Sequence, residues 1–277
     1  MFSAENFFDL RDFAHAAIFA PDAPVWQALD ALKGYMDGYN YPVLDRDLLP
    51  DGKPLPKTVV FHDGCWRSAA GLTIEYGDTN KGKLAVFADG KRLDGATVIM
   101  AGAVLVGGRF AFGRGVLVES QAMLKAPFIC DDHTEIRQGA YLRGYCLAGK
   151  RCVLGHATEV KNSIFLNDAK AGHFAYLGDS ILGNHCNLGA GTKFANLRFI
   201  SGNIAIRHNK QFFDTGRRKL GAILGDGSQT GCNSVTSPGA ILGRDCALFP
   251  NATAASGFHA DRALLRSGGC PSGHPAK

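Results

Sequence analysis

Eight cysteines occur in the chain, but no two form a Cys-x-x-Cys pair, so the usual zinc-ribbon and redox-motif readings lose their basis. Long apolar runs are also missing. None reaches ~18 residues, the length a membrane-crossing helix requires, and no membrane span or membrane partner is expected. The opening residues, Met1-Phe2-Ser3-Ala4-Glu5, carry neither a basic stretch nor an apolar core, so no signal peptide is expected. Lys and Arg are nowhere gathered into a block long enough for a nucleic-acid-binding arm. Their excess over Asp and Glu still leaves a formal charge of +5, which suits a small anionic partner such as a phosphorylated sugar or a nucleotide-containing cofactor. Several cysteines stand where an aliphatic side chain would serve. That pattern predicts buried thiols in a reducing cytosol, and hence a cytoplasmic protein.

Glycine is plentiful: 35 of 277 residues, against an average near about 7%. There is no strict Gly-X-Y triplet, so collagen is excluded, and many regularly repeated turns are implied. Residues 1–42 read as a helical segment in two parts. Ser3 stands before Phe7, Leu10, Phe13 and Ala14 at helical spacing; Asp22 precedes Trp26, Leu29, Leu32 and Met36 on one stripe. Both parts have an apolar face that needs a partner within the protein or its oligomer. Residues 43–95 read as a lead-in of short strands, with "KTVVFHDG" and "KLAVFADG" the clearest.

From Met100 a different order takes over. Stepping six residues at a time gives Met100, Val106, Phe112, Val118, Leu124, Cys130, Ile136, Leu142, Ala148, Leu154 and Val160, all apolar. Against a 46% apolar background, such a run arises by chance about once in several thousand trials. A period of six is neither helical nor that of a simple strand; it belongs to a chain coiling with short straight sides and tight corners. "GAILG" begins at Gly221 and again at Gly239, 18 residues later, which is three hexads and one turn of a triangular coil. The period predicts a mainly β fold: a parallel β-helix of hexapeptide repeats over 96–253, with one register slip from Leu177 to Leu182. An irregular basic loop is predicted over 198–218, and a flexible Gly/Ser/His/Pro-rich tail over 254–277.

The stretch from Gly155 to Asn196 holds the candidate chemistry. Its segments "TEVKNS", "KAGHFAYLGDSILG" and "NLGAGT" resemble the acetyltransferase domain of the bacterial bifunctional N-acetylglucosamine-1-phosphate uridylyltransferase/glucosamine-1-phosphate N-acetyltransferase family. The resemblance covers roughly residues 100 to 250 and is strong from about 140 to 226. It implies a left-handed β-helix, acetyl-CoA as acyl donor, an amino-sugar phosphate as acceptor, and a homotrimer with sites between subunits. By position it implies His173 as catalytic base and Tyr176 as a contact of the sugar phosphate. Arg143 and Lys161 would hold phosphate and sugar, Asn187 would lie in the substrate site, and Asn196 would face the acetyl donor. Lys219 would close over the sugar phosphate, provided the stretch before it is an insertion. The roles fit the chemistry. A sugar amine must lose a proton before it attacks, and imidazole is the side chain suited to take it near neutral pH. Phosphate needs cations, and Arg143 and Lys161, 18 residues apart, fall on adjacent coils.

The chain departs from that family in two places. Its first 95 residues show no Gly-rich loop with Arg and a following Lys, so no uridylyltransferase chemistry is expected. Cys232, Pro250 and the irregular tail differ from the expected cofactor-binding coils. Two other readings are open to test. One is a non-catalytic trimer that binds a sugar nucleotide or acts as a scaffold. The other is a zinc lyase of the carbonic-anhydrase type, which needs a close His pair five apart; His133, His156, His173 and His185 offer no such pair, and no metal site is expected.

Overall fold

A computed structural model describes residues 2–267. Three sheets wind around one axis, parallel throughout the coil, where each strand pairs with the strand one coil away; the first two strands of the first sheet are antiparallel. The first sheet has eleven strands, running from Cys65–Ser68 and Val59–His62 through Thr97–Ile99 to Leu264–Leu265; it is called here the lead-in face. The second has eight strands, from Val104–Val106 to Thr253–Ala254, and is called the open face. The third, also of eight strands, runs from Phe110–Phe112 to Gly257–His259 and is called the covered face. This is the β-helix that the six-residue period predicts.

The hexad residues from Val118 to Val160 are buried in a single interior cluster. Backbone N–H and C=O groups pair from coil to coil, so the dry interior leaves little polar backbone unmatched. The first coil departs from the expected register. Ile99 pairs with Val118 and Leu105 with Leu124, a coil of 19 residues, so Ile99 and Leu105 point inward and Met100 and Val106 are only half-buried. The register slip is also doubled. Leu142 pairs with Val160 at 18 residues, but Cys146 pairs with Ser163 and Ile164 with Ile181 at 17. Each lost residue falls at the corner between the open and covered faces. Asn162 (φ 47°) and Asp179 (φ 50°) make those corners in the left-handed conformation, which Asn and Asp tolerate better than other side chains. In the same coils Gly155 is obligatory, because a Cβ there would fall on the Gly172 carbonyl.

The covered face carries outward apolar residues in a ladder: Ile129, Leu147, Ile164, Ile181, Ile223 and Ile241. The amino-terminal segment lies on it. The helix Gln27–Asp37 buries Leu29, Leu32 and Met36 as the spacing predicts. The first expected helix is not formed. Only the 3-10 turns Ala4–Asn6 and Ala16–Ile18 occur, and Ser3 makes no cap bond to the backbone. The reason is local. Corner side chains of the coil take the backbone groups that a helix would need: Asn184 Nδ2 donates to the Asp9 carbonyl at 2.9 Å, Asn167 Nδ2 donates to the Asp12 carbonyl at 2.9 Å, and the Asp9 N–H donates to Asp226 at 2.7 Å. Phe7, Phe8 and Phe13 are then buried from an irregular strap.

The stretch predicted as an irregular loop contains an antiparallel hairpin, Ala205–His208 with Gln211–Asp214. Ile204 and Ile206 are fully buried beside the strap, and Phe2 packs edge-on against Phe213 at 5.2 Å. Residues 254–267, expected to be flexible, instead add strands to all three faces, ending with Gly257–His259 and Leu264–Leu265. Their apolar residues, Phe258 and Leu265 among them, pack on the two main cores. The remainder of that predicted tail lies outside the described residues. In the lead-in, Leu72–Glu75, Ala85–Ala88 and Lys91–Arg92 form a small antiparallel sheet over a satellite core of Val60, Val86, Val98 and Leu117. No helix among the described residues is long and apolar enough to cross a membrane.

Candidate functional site

The chain passes from the lead-in face to the open face at Phe174 and from the open to the covered face at Asp179. The predicted site residues of these coils fall on or beside the two edges of the open face. The strand Lys170–His173 ends at the first edge, and His173 is exposed there. Its backbone pairs in register with His156 one coil earlier, and its carbonyl accepts from the Gly191 N–H at 3.0 Å. Phe174 follows with φ 52°, which turns the chain sharply and leaves His173 at the rim of a cleft. The cleft has a volume of about 450 Å³ and lies between the lead-in face and the turn Thr79–Lys81. Asn187 lines it from the next coil, paired in register with Lys170. Lys81, Arg137 and Lys170 line the same walls, Lys81 paired with Asp78 at 2.8 Å and Arg137 with Glu135 at 2.8 Å, and Cys232 lines it as well.

The second edge gathers the other candidates. Arg143 and Lys161 leave the open face in register on adjacent coils, since Leu142 pairs with Val160 immediately before them. Arg143 donates to Glu159 at 2.7 Å, and this bond raises the guanidinium's proton affinity and fixes its charge. Lys161 is half-buried and pairs with Gly178 of the following coil. Asn196 stands one coil further, its Nδ2 donating to Asp179 at 2.7 Å. The chain then leaves the coil for the hairpin and returns at Lys219, which bridges to Leu197 and is exposed beside Asn196.

Tyr176 joins the two edges. It starts the open-face strand three residues after His173, and its hydroxyl and the Asn196 amide nitrogen converge over Gly178. Burial, together with the nearby carboxylates of Glu159 and Asp179, raises its phenol above the ordinary value, so the hydroxyl stays a neutral donor. The structure thus places Arg143, Lys161, Tyr176, Asn196 and Lys219 in one neighbourhood. His173 and Asn187 lie apart from it, across the width of a three-residue strand, about 10 Å.

Sequence reasoning missed Glu159, Asp179, Arg217 and the cations of the cleft. Asp179 is 6% exposed yet binds Asn162, Asn196 and Arg217; a lone "GD" in a glycine-rich repeat gives no hint of that. Lys81 comes from the lead-in, outside the repeat altogether. The buried thiols fit the cysteine reading. Cys130, Cys146, Cys152, Cys186 and Cys246 are interior residues, and burial pushes Cys146 and Cys152 up to about 12. Among the described residues no group of His, Cys, Asp and Glu is arranged to hold a metal ion.

No family model matches the chain. A bifunctional sugar-1-phosphate nucleotidylyltransferase/acetyltransferase of Sulfurisphaera tokodaii is 32% identical over 153 residues, 49% of this chain and 38% of that protein. The bifunctional protein GlmU of Methanocaldococcus jannaschii is 37% identical over 107 residues, 39% of this chain and 26% of its own length. GlmU of Wigglesworthia glossinidia brevipalpis is 29% identical over 148 residues, 47% of this chain and 32% of its own. The chain therefore spans well under half the length of these curated relatives. A solved GDP-perosamine N-acetyltransferase from Caulobacter crescentus, in complex with CoA and GDP-perosamine, aligns over 62% of this chain and 56% of its own. Identity there is 19% and the TM-score 0.28, too low to carry any argument. On the sequence matches, the β-helix of this chain resembles the acetyltransferase portion of bifunctional sugar-1-phosphate nucleotidylyltransferase/acetyltransferases.

Proposed function

We propose that the chain is an acetyl-CoA-dependent N-acetyltransferase acting on an amino-sugar phosphate such as glucosamine-1-phosphate. One observation carries this reading: a single open face has an exposed imidazole at one edge, a ladder of cations at the other, and Tyr176 between them. The separation of about 10 Å, set by a three-residue strand, suits an acceptor with its amine and its phosphate at opposite ends. Arg143 and Lys161 bind the phosphate, with Lys219 closing from the hairpin side. His173 removes a proton from the ammonium, and the freed amine attacks the thioester carbonyl. The carbonyl oxygen gathers negative charge in the tetrahedral intermediate. Collapse breaks the C–S bond; the nitrogen gives up its extra proton, the departing thiolate takes one up to become the CoA thiol, and an amide is left on the sugar.

The acyl donor is assigned to the cleft beside His173. Lys81, Arg137 and Lys170 on its walls suit the phosphates of acetyl-CoA, and its opening at the rim brings a thioester to the imidazole. A homotrimer is part of the same proposal; a neighbouring subunit would complete the walls of the open face. The decisive experiment follows CoA thiol release from acetyl-CoA across a panel of amino-sugar phosphates, wild type against His173→Ala. Acceptor-dependent release that disappears in the variant supports the reading. Thermal stabilisation by sugar phosphates without turnover in the wild type replaces it with a non-catalytic binding protein.

A further inference from the structure

The hairpin insertion leaves the coil after Asn196 and returns at Lys219, so it interrupts the chain between two residues of the phosphate-binding edge. An insertion free to move there would loosen both. What ties it down is Arg217, with a side chain only 12% exposed. Its guanidinium reaches three elements. Nε donates to the Lys219 carbonyl at 3.1 Å, Nη2 donates to Asp179 Oδ1 at 3.3 Å, and Nη1 pairs with Asp30 of the helix Gln27–Asp37.

Asp179 is the other half of this device. It sits at the tight 17-residue corner and is almost wholly buried. Oδ1 also accepts from Asn162 Nδ2 at 2.7 Å, and Oδ2 accepts from Asn196 Nδ2 at 2.7 Å. A carboxylate can only accept, so it dictates which end of the Asn196 amide faces it. The amide nitrogen therefore faces Asp179, with one of its two N–H groups spent on the carboxylate. The second N–H and the amide oxygen of Asn196 remain, held in a fixed orientation beside the Tyr176 hydroxyl.

We infer that Asp179 and Arg217 are positioning residues. Together they fix the orientation of the Asn196 amide and hold Lys219 in place, so that the open face keeps a preformed edge for the phosphorylated sugar. This rests on the reading given under Proposed function and adds the parts that set acceptor recognition. The device belongs to this chain's own additions, because Asp30 and Arg217 lie outside the repeat.

The test compares Asp179→Asn, Arg217→Ala, Arg217→Lys and the double variant Asp179→Asn/Arg217→Ala in the full chain. Binding of glucosamine-1-phosphate is measured by calorimetry, turnover by thiol release, and folding by thermal melting. Asp179→Asn permits the amide of Asn196 to flip, and losing one charge-assisted bond of this kind weakens binding roughly tenfold. Expected are a rise of about tenfold in Kd and KM for the sugar phosphate in Asp179→Asn and in Arg217→Ala, and kcat within about threefold of wild type, as uniform binding loss requires. Arg217→Lys should recover part of the loss, and the double variant should fall short of the product of the two singles. Unchanged sugar-phosphate affinity in folded Asp179→Asn and folded Arg217→Ala, with normal wild-type binding, overturns the inference alone. A wild type that neither binds nor acetylates any amino-sugar phosphate overturns the functional reading, and the inference with it. If Asp179→Asn does not fold, Arg217→Ala alone decides, since its side chain leaves the coil interior untouched.

Discussion

The open and covered faces share one repeat, one interior and one strand length, yet they meet opposite fates. Outward positions on the covered face are Ile129, Leu147, Ile164, Ile181, Ile223 and Ile241, and the strap, helix and hairpin bury them. Outward positions on the open face are Tyr141, Glu159, Tyr176 and Lys193, and nothing in the described chain covers them. Inward residues make the coil; outward residues decide what docks on each side. Each buried Ile or Leu contributes about 1.5–3 kcal/mol, which is ample to hold a strap that has little helix of its own.

Opposite charge tests on the two faces should split this comparison widest. Ile164→Asp places an unpaired carboxylate under the strap, at a position with no solvent exposure, and should cost more than about 4 kcal/mol in chemical denaturation. Lys193→Asp, exposed on the open face, should stay within about 0.5 kcal/mol. Equal losses would mean that the strap is not what the isoleucine ladder serves. Next in size is His173→Ala, expected to lower turnover by about a hundredfold to ten-thousandfold with the melting temperature unchanged. A smaller effect follows at the other edge. Arg143→Ala and Lys161→Ala should each weaken sugar-phosphate binding by about tenfold in calorimetry, with little change in affinity for acetyl-CoA. Matching losses for both ligands would collapse the distinction between the two edges.

The smallest expected effect is a change in labelling rate. Cys65 and Cys232 are exposed, whereas the five interior thiols are shut away and held protonated by burial. Iodoacetamide at pH 8 should modify the first two and spare the five, read by peptide mass spectrometry. CoA should slow labelling of Cys232, which lines the His173 cleft, and leave Cys65 alone. Protection of neither would place the acyl donor elsewhere.

The coil was legible because its signal is repeated: eleven apolar residues at a constant step survive a one-residue error in the first turn. The strap was not, because Phe7, Phe8 and Phe13 answer to the face beneath them rather than to their own periodicity. The hairpin was missed for a similar reason; Ile204 and Ile206 are buried over Gly239 at the edge of the covered face, a contact their own spacing does not announce. Within the proposed site, His173, Tyr176, Arg143 and Lys161 could be raised as candidates from motif and step. Asp179 and Arg217 could not, since their roles arise only where three separate elements converge.

The strand Val59–His62 runs antiparallel to Thr97–Ile99, the first coil's strand, and Cys65–Ser68 folds back beyond it. A stack of parallel rungs ends in a row of unsatisfied amides and carbonyls, an invitation to another molecule's rungs. The reversed strand takes up the free backbone groups of Thr97–Ile99, so that row of the lead-in face is no longer open. The hairpin before the repeat thus gives the lead-in face a finished first rung on which the coil can stack.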